Sequence, residues 1–478
     1  MSPVPTAMRS SIRQSLLYFA TVAFGQGLPF LLLPIVTRYL TPEAYGYYAL
    51  ALVVSSLVAM GTAQWISNVG LRLYVDARAR DATRGFYVTT SLLQTGLFLA
   101  AYAAALAVLG LTGIRPAPLP VLLFAGLAQV IGNQYAYTTT LLRADQRAMP
   151  FAVAEIGAGL IRFGATAGGL AVGFRSAELL FAATALSFLL ATAYAVRALW
   201  RGLGGARLFD RAGVVELLRA GPASVPFSMA GWLERLADRL VLAFYAGPAV
   251  VGVYSVGYAV GERVVGSLVQ AVFMVAWPTI LNAWRGAGAR GAAPAIATAQ
   301  RMYAWITVGP ALFLVVFGNP LMAWFVGPGF EKAAVVVPII AASMWVGGFG
   351  AYLNRQFELS KRYAWLSGVS LAGAAVNVGL NFLLIPRFGM GGAAVATLAN
   401  QAFNVTVFLA MMDRSLVRIQ YGALAAAMGS AGLAWLASRA AAGSAGLAAG
   451  LFIAVYAVSA VVALRRIERD ELAVEATP

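Results

Sequence analysis

The sequence predicts an all-α polytopic membrane protein of about fourteen transmembrane helices, and three observations carry that prediction. Hydrophobic residues make up 61% of the 478 and charged residues only 11%, with a mean hydropathy of +0.79, which lies outside the range of soluble globular chains. Apolar stretches of the roughly 20 residues needed to cross a bilayer recur along the whole chain. The basic residues between them alternate regularly from one connector to the next.

The first stretch follows Arg9 and Arg13 and runs to Thr37. It is too long for a signal-peptide core and has no small-residue cleavage site after it, so it is expected to stay as span 1. Pro29 and Pro34, with Gly25 and Gly27, predict a bend or break in it, either a static kink or a moving element. Charged or Pro/Gly-rich connectors set off the rest. Spans are expected at 14–37, 46–68, 86–110, 119–140, 149–172, 177–197, 221–245, 252–277, 302–318, 333–354, 364–385, 391–411, 421–438 and 445–464.

Placing the N-terminus in the cytoplasm puts 24 of the 34 Lys and Arg residues on the inner side. Six fall outside (Arg38, Arg115, Arg175, Lys332, Arg387 and Arg439) and four lie within spans. The alternation holds through every connector, which supports the span count and places both termini in the cytoplasm. Topology therefore accounts for the net charge of +16 without nucleic acid as a partner. Cysteine and histidine are absent, which excludes disulfides and thiolate metal sites and removes the commonest general base. No metal site and no catalytic residue are expected.

Residues 1–200 form an N-terminal lobe of spans 1–6, 201–220 a cytoplasmic linker, and 221–412 a C-terminal lobe of spans 7–12. Residues 413–478 hold spans 13–14 and a cytoplasmic tail. A short internal repeat accompanies this division: Pro42, Gly46 and Tyr48 recur as Pro248, Gly252 and Tyr254 at one offset. With an even number of spans in each half, the halves are related by an axis along the membrane normal.

Eight ionisable residues lie inside three spans. On span 7, Glu234, Arg235, Asp238 and Arg239 occupy one side of the helix together with Ser228 and Gly231, at about 100° per residue. On span 5, Glu155, Gly159, Arg162 and Thr166 make a narrow polar or small stripe, and on span 8 Ser255, Glu262, Gly266 and Gln270 do so, with Arg263 beside Glu262. A charge at a span centre costs roughly 2.5–3.5 kcal/mol on insertion scales, so these groups face water, a ligand or one another. Two readings follow. They are salt bridges that tie the bundle together, or the arginines receive an anionic group, for which the planar, permanently charged guanidinium fork suits phosphate.

Weaker signals are Gln129, Asn133, Gln134 and Tyr137 on span 4, Asn377 and Asn381 on span 11, and Asn400, Gln401 and Asn404 on span 12. These bond sugars or neighbouring helices. Gly164 with Gly168, Gly257 with Gly261, and Gly446 with Gly450 are spaced for close helix contact. Gly286, Gly288 and Gly291 match a dinucleotide fingerprint but follow no strand, and are expected to be a flexible inner connector. Asn404-Val405-Thr406 is a glycosylation triplet buried in a span. The only lysines, Lys332 and Lys361, belong to no phosphate-binding loop, so ATP is not expected as an energy source.

Three stretches carry a family resemblance: Thr37-Arg38-Tyr39-Leu40-Thr41-Pro42-Glu43-Ala44-Tyr45-Gly46, then Asp238-Arg239-Leu240 through Val251-Gly252-Val253-Tyr254-Ser255, and Ile385-Pro386-Arg387-Phe388-Gly389-Met390-Gly391-Gly392-Ala393-Ala394. Over nearly its whole length the chain resembles the oligosaccharide flippases of the polysaccharide-transporter branch in the multidrug, oligosaccharidyl-lipid and polysaccharide exporter superfamily. The resemblance implies two six-helix lobes around a central cavity plus two C-terminal helices. It also implies movement of polyprenyl-pyrophosphate-linked oligosaccharide from the inner to the outer leaflet of the bacterial cytoplasmic membrane by alternating access. Arg162, Arg235, Arg239 and Arg263 would then meet pyrophosphate or acidic sugars. Glu155, Glu234, Asp238 and Glu262 would position those arginines or carry a coupling H+ or Na+; no other cofactor is implied. A polysaccharide polymerase and glycosyltransferases would be its partners besides the lipid-linked oligosaccharide and the bilayer. The alternatives are a cation-coupled multidrug antiporter of the same superfamily, which the four arginines argue against, and a membrane polysaccharide polymerase or ligase, which the short outer connectors argue against.

Overall fold

The computed structural model describes residues 21, 24–25, 27–205, 207–222, 225–441 and 443–475. Arg9, Arg13 and much of the expected first span lie outside the described residues, as does the side chain of Ser228. No strand occurs among the described residues, and helix occupies every apolar stretch from 46–68 to 445–464. The fold is that of an all-α polytopic membrane protein.

In chain order the helices are α1 (Gly27–Tyr39), α2 (Pro42–Ala59), α3 (Trp65–Ala79), α4 (Thr83–Thr112), α5 (Leu119–Ala144), α6 (Ala148–Val172), α7 (Ala177–Trp200), α8 (Arg211–Ala220), α9 (Val225–Gly261), α10 (Ser267–Phe325), α11 (Val336–Leu359), α12 (Tyr363–Ala410), α13 (Tyr421–Ser438) and α14 (Ala445–Glu475). Among the described residues, nine helical runs are long and apolar enough to cross a membrane. Two of these runs hold more than one expected span, because helical geometry breaks at Gly247, at Ala287–Gly288 and at Gly389. Gly247 takes φ 80° and ψ 173°, a conformation open to glycine without strain. Pro248 then restarts the helix at a position where its missing N–H is no loss. Single π-helical turns, Met60–Gln64 and Glu262–Gly266, join α2 to α3 and α9 to α10.

Several expectations change. α1 passes through Pro29 and Pro34 without a break among its described residues. The Gly286–Gly291 stretch is a corner inside a helical run, with Gly288 at φ 59°, rather than a flexible connector. Gly164, Gly168 and Gly450 have no neighbouring atom within 4 Å of a Cβ position, and Gly446 only the Ser444 hydroxyl at 4.0 Å, so those two pairs do not mediate close helix contact. Gly257 and Gly261 do so, against Ala333, Val336 and Ile340.

The chain packs as two compact units, Met1–Ser255 with Gly327–Gly329, and Val256–Val326 with Phe330–Pro478. In the first, Phe86, Tyr137, Leu141, Leu142, Ala195 and Leu199 form a fully buried core among α4, α5 and α7. Thr41 caps α2 by accepting from the Ala44 N–H at 3.2 Å, with Pro42 as the first helical residue. The repeated residues meet there. A Cβ on Gly46 would lie 1.8 Å from the Pro248 carbonyl oxygen, and one on Gly252 would lie 2.0 Å from that of Pro42. The contact is therefore reciprocal and as close as backbones can come.

Within 201–220, expected as a linker, the chain forms the amphipathic helix α8. The Asp210 carboxylate caps it, accepting from the Gly213 N–H at 3.1 Å, and Gly213 and Leu217 bury against α3 and α4. Asp145 gathers Arg78, Arg147 at 3.7 Å and the Tyr74 hydroxyl at 3.3 Å, which ties the α5–α6 turn to α3.

In the second unit, α11 packs along α12, and α13 and α14 pack on α10 through Ala427, Ala431, Ala434, Phe452 and Tyr456. The turn after α12 is fixed by Asp413, whose N–H donates to Gln356 Oε1 at 2.7 Å. The hydroxyl and N–H of Ser415 donate to the Asp413 carboxylate at 2.6 and 2.9 Å. Those two bonds hold that carboxyl below its ordinary pKa.

Candidate functional site

The charged side chains inside the membrane helices fall into three groups. On α9, Asp238 and Arg239 are 1% and 8% exposed. One Arg239 nitrogen donates to Asp238 Oδ1 at 3.0 Å and to the Arg235 carbonyl at 2.8 Å. The Tyr254 hydroxyl donates to Asp238 Oδ2, and the guanidinium lies 5.5 Å over the Tyr254 ring. Gly247 makes this possible, because the reversal there returns the second half of α9 alongside the first. Glu234 is half-buried and Arg235 exposed. Four neighbouring charges thus divide into a sealed pair and a more accessible pair.

On α6, Glu155 and Arg162 are two turns apart on one face, and both are half-buried. Tyr135 and Arg143 of α5 join Arg162 within electrostatic reach of the Glu155 carboxylate. Glu155 Oε2 lies 3.5 Å from where a Cβ on Gly25 would sit. This cluster sets one carboxylate within electrostatic reach of two guanidinium groups, so an incoming anion would compete with Glu155 for them.

In the second unit, Glu262 and Arg263 sit on the π turn Glu262–Gly266, Glu262 exposed and Arg263 half-buried. A π turn inserts one extra residue and re-aims its side chains, and such turns are frequent at functional sites. The same unit holds a residue expected in the connector after 354 that lies instead on a helix. Arg355 of α11 lies 4.5 Å over the Trp277 ring and 5.0 Å over that of Phe273, and pairs with Glu358. Next to it, Trp277, Trp284, Arg285, Glu358, Lys361 and Tyr363 line a cleft of about 630 Å³. The i,i+3 spacing of Arg355 and Glu358 was the available signal.

The amide residues serve mainly as ties between or along helices. Gln134 donates to the Ser91 carbonyl at 2.9 Å and to Thr95 Oγ1 at 2.7 Å. Tyr137 meets Thr90 at 2.8 Å, joining α5 to α4. Asn381 donates to Asn377 at 3.0 Å, both fully buried. Asn400 and Asn404 crowd Gly373, and Gln401 crowds Gly347.

A profile described as "Polysaccharide biosynthesis protein" matches residues 35–335. The chain belongs to that family. The match takes in α2 to α9, both π turns and all eight charged residues above. The probable low-salt glycan biosynthesis flippase Agl15 of Haloferax volcanii is 25% identical over 199 residues, 41% of this chain and 42% of Agl15. The chain thus matches about two fifths of that relative's length. Among solved structures, the lipid II flippase MurJ in an inward closed conformation superposes with a TM-score of 0.73 at 12% identity, over 95% of this chain and 99% of MurJ. An inward-facing multidrug resistance MATE transporter of the MOP superfamily gives 0.58 at 14% identity, over 83% and 93%. At those identities the likeness is one of fold. The resemblance drawn from the sequence motifs is borne out: a polysaccharide biosynthesis family member with the exporter fold.

Proposed function

We propose that this protein is a flippase that carries polyprenyl-pyrophosphate-linked oligosaccharide from the inner to the outer leaflet of the bacterial cytoplasmic membrane by alternating access. The observation that carries the reading is the family match, because it spans the stretch in which all eight charges of α6, α9 and the Glu262–Gly266 turn reside. A polysaccharide biosynthesis protein built of membrane helices, with guanidinium groups held inside them, has the means to receive a phosphorylated lipid where lipid tails alone would surround it. Arg162, Arg235 and Arg263 are the groups assigned to the pyrophosphate or to acidic sugars. Glu155, Glu234 and Glu262 position them or carry a coupling H+ or Na+. Arg239 is closely engaged by Asp238, Tyr254 and the Arg235 carbonyl, and is assigned to holding the bend of α9.

The test is leaflet-resolved measurement of lipid-linked oligosaccharide in a deletion strain. Accumulation on the inner leaflet is expected, with Arg162→Ala and Arg162→Lys failing to restore export at normal protein level. An unchanged leaflet distribution sinks the reading. Cation-coupled drug antiport on the same fold is the second reading. It needs a carboxylate open to a cation; Asp238 is occupied by Arg239 and Tyr254, which leaves Glu234 and Glu262 for that role, and efflux of cationic dyes from a pump-deficient host separates the two.

A further inference from the structure

A polar cleft of about 330 Å³ lies in the first compact unit and contains none of the eight intramembrane charges. The π turn and α3 supply Gln64, Ser67, Asn68 and Arg72; α4 supplies Gln94, and α5 supplies Asn133 and Thr140. No carboxylate lines it among the described residues. Gln94 is 1% exposed. Its Oε1 accepts from the Ser67 hydroxyl at 3.4 Å, while its Nε2 has no hydrogen-bond partner among the described residues. Asn133 repeats the pattern: its Oδ1 accepts from Gln129 at 2.9 Å, and its Nδ2 is likewise unpartnered.

A buried amide N–H left unpaired costs about 1–3 kcal/mol. Two of the lining side chains carry such an NH₂ group, each covered from solvent in this structure, so a ligand with oxygen acceptors that drew them into the cleft, beside the π turn and the exposed Arg72, would satisfy both. The volume is at the low end of small-molecule sites, which run from about 300 Å³ upward. It suits one end of an oligosaccharide rather than all of it. On the expected topology the cleft sits in the inner third of spans 2, 3 and 4, where a cargo loaded from the cytoplasm arrives first.

We propose that this cleft is a sugar subsite, in which Gln94 and Asn133 donate to hydroxyl or ring oxygens of a terminal sugar and Arg72 favours one that bears a carboxylate. The inference rests on the reading that a lipid-linked glycan is the cargo. Saturation-transfer NMR on the full-length protein in detergent tests it, with methyl glucoside and methyl glucuronide as probes. Both should bind the wild type, the glucuronide better. Gln94→Leu and Asn133→Leu should lose both, and Arg72→Gln should weaken the glucuronide roughly tenfold, the loss of one charge-assisted hydrogen bond, while leaving the glucoside unchanged. Arg72 is exposed, so its variant stays informative where a buried amide variant fails to fold. Binding of neither sugar to the wild type, or binding to all three variants as to the wild type, overturns the subsite. The leaflet assay keeps the two readings apart. A deletion strain with normal leaflet distribution overturns the flippase, whereas one rescued fully by Gln94→Leu and Arg72→Gln overturns the subsite alone.

Discussion

At the scale of single residues, Asp238 and Arg239 show what a membrane interior demands of a charge. Removing one member of a buried pair leaves the other uncompensated, at a cost of about 3–5 kcal/mol in water-soluble proteins. Arg239→Ala should therefore lower the detergent-solubilised melting temperature and the yield of folded protein. Asp238→Asn combined with Arg239→Gln should recover most of the loss, since the two amides can bond each other and Tyr254. A single variant as stable as the wild type would show that the pair bears no structural weight. Adjacency in the sequence made this pairing legible, together with the cost of isolated charges. The part of Tyr254 was not legible: the break between 245 and 252 was expected, but which residue of the returning helix meets Asp238 depends on the backbone turn at Gly247.

At the scale of elements, the helices could be read because apolar length and connector chemistry are local properties. The π turns could not, since Met60–Gln64 and Glu262–Gly266 share no residue pattern and arise from how each helix is accommodated by its neighbours. α8 was missed for a different reason. Only Gly213 and Leu217 of its residues are buried, a short apolar stripe flanked by Arg211, Glu216 and Arg219 in a connector. The amide cleft was legible only at Asn133, because Gln94 is a single amide in an apolar stretch of the sequence and shares a cleft with Asn133 only in the fold. The reciprocal contact of α2 with α9 allows a direct test. Gly46→Ala and Gly252→Ala each force a methyl group into a carbonyl oxygen, and overpacking of this kind costs about 1–3 kcal/mol. Each should lower the melting temperature. The double variant should cost less than the sum, because either methyl already separates the same two backbones. Additive losses would mean the contacts are independent.

At the scale of the whole molecule, orientation in the bilayer rests on the alternation of basic residues, and the absence of cysteine makes it straightforward to check. Ser444→Cys lies in a connector expected outside, and Ser360→Cys in one expected inside; both positions are exposed. An impermeant maleimide should label the first in intact cells and the second only after permeabilisation, and the reverse pattern would invert the topology.

The matched Pro-Gly-Tyr motifs carry a consequence for ancestry. Contact of Gly46 with Pro248 and of Gly252 with Pro42 has the form of an isologous interface, the kind two identical subunits make about a twofold axis. Fusion into one chain releases the two copies from having to change together. Stepping back from Asp238 and Arg239 by the offset that relates Pro248 to Pro42 leads to Leu32 and Leu33, which are buried hydrocarbon. Tyr254 maps to Tyr48, which packs on Phe181 4.7 Å away instead of bonding a carboxylate. One segment holds buried hydrocarbon where the other holds an ion pair, a difference that a symmetric dimer of identical half-length chains could not show.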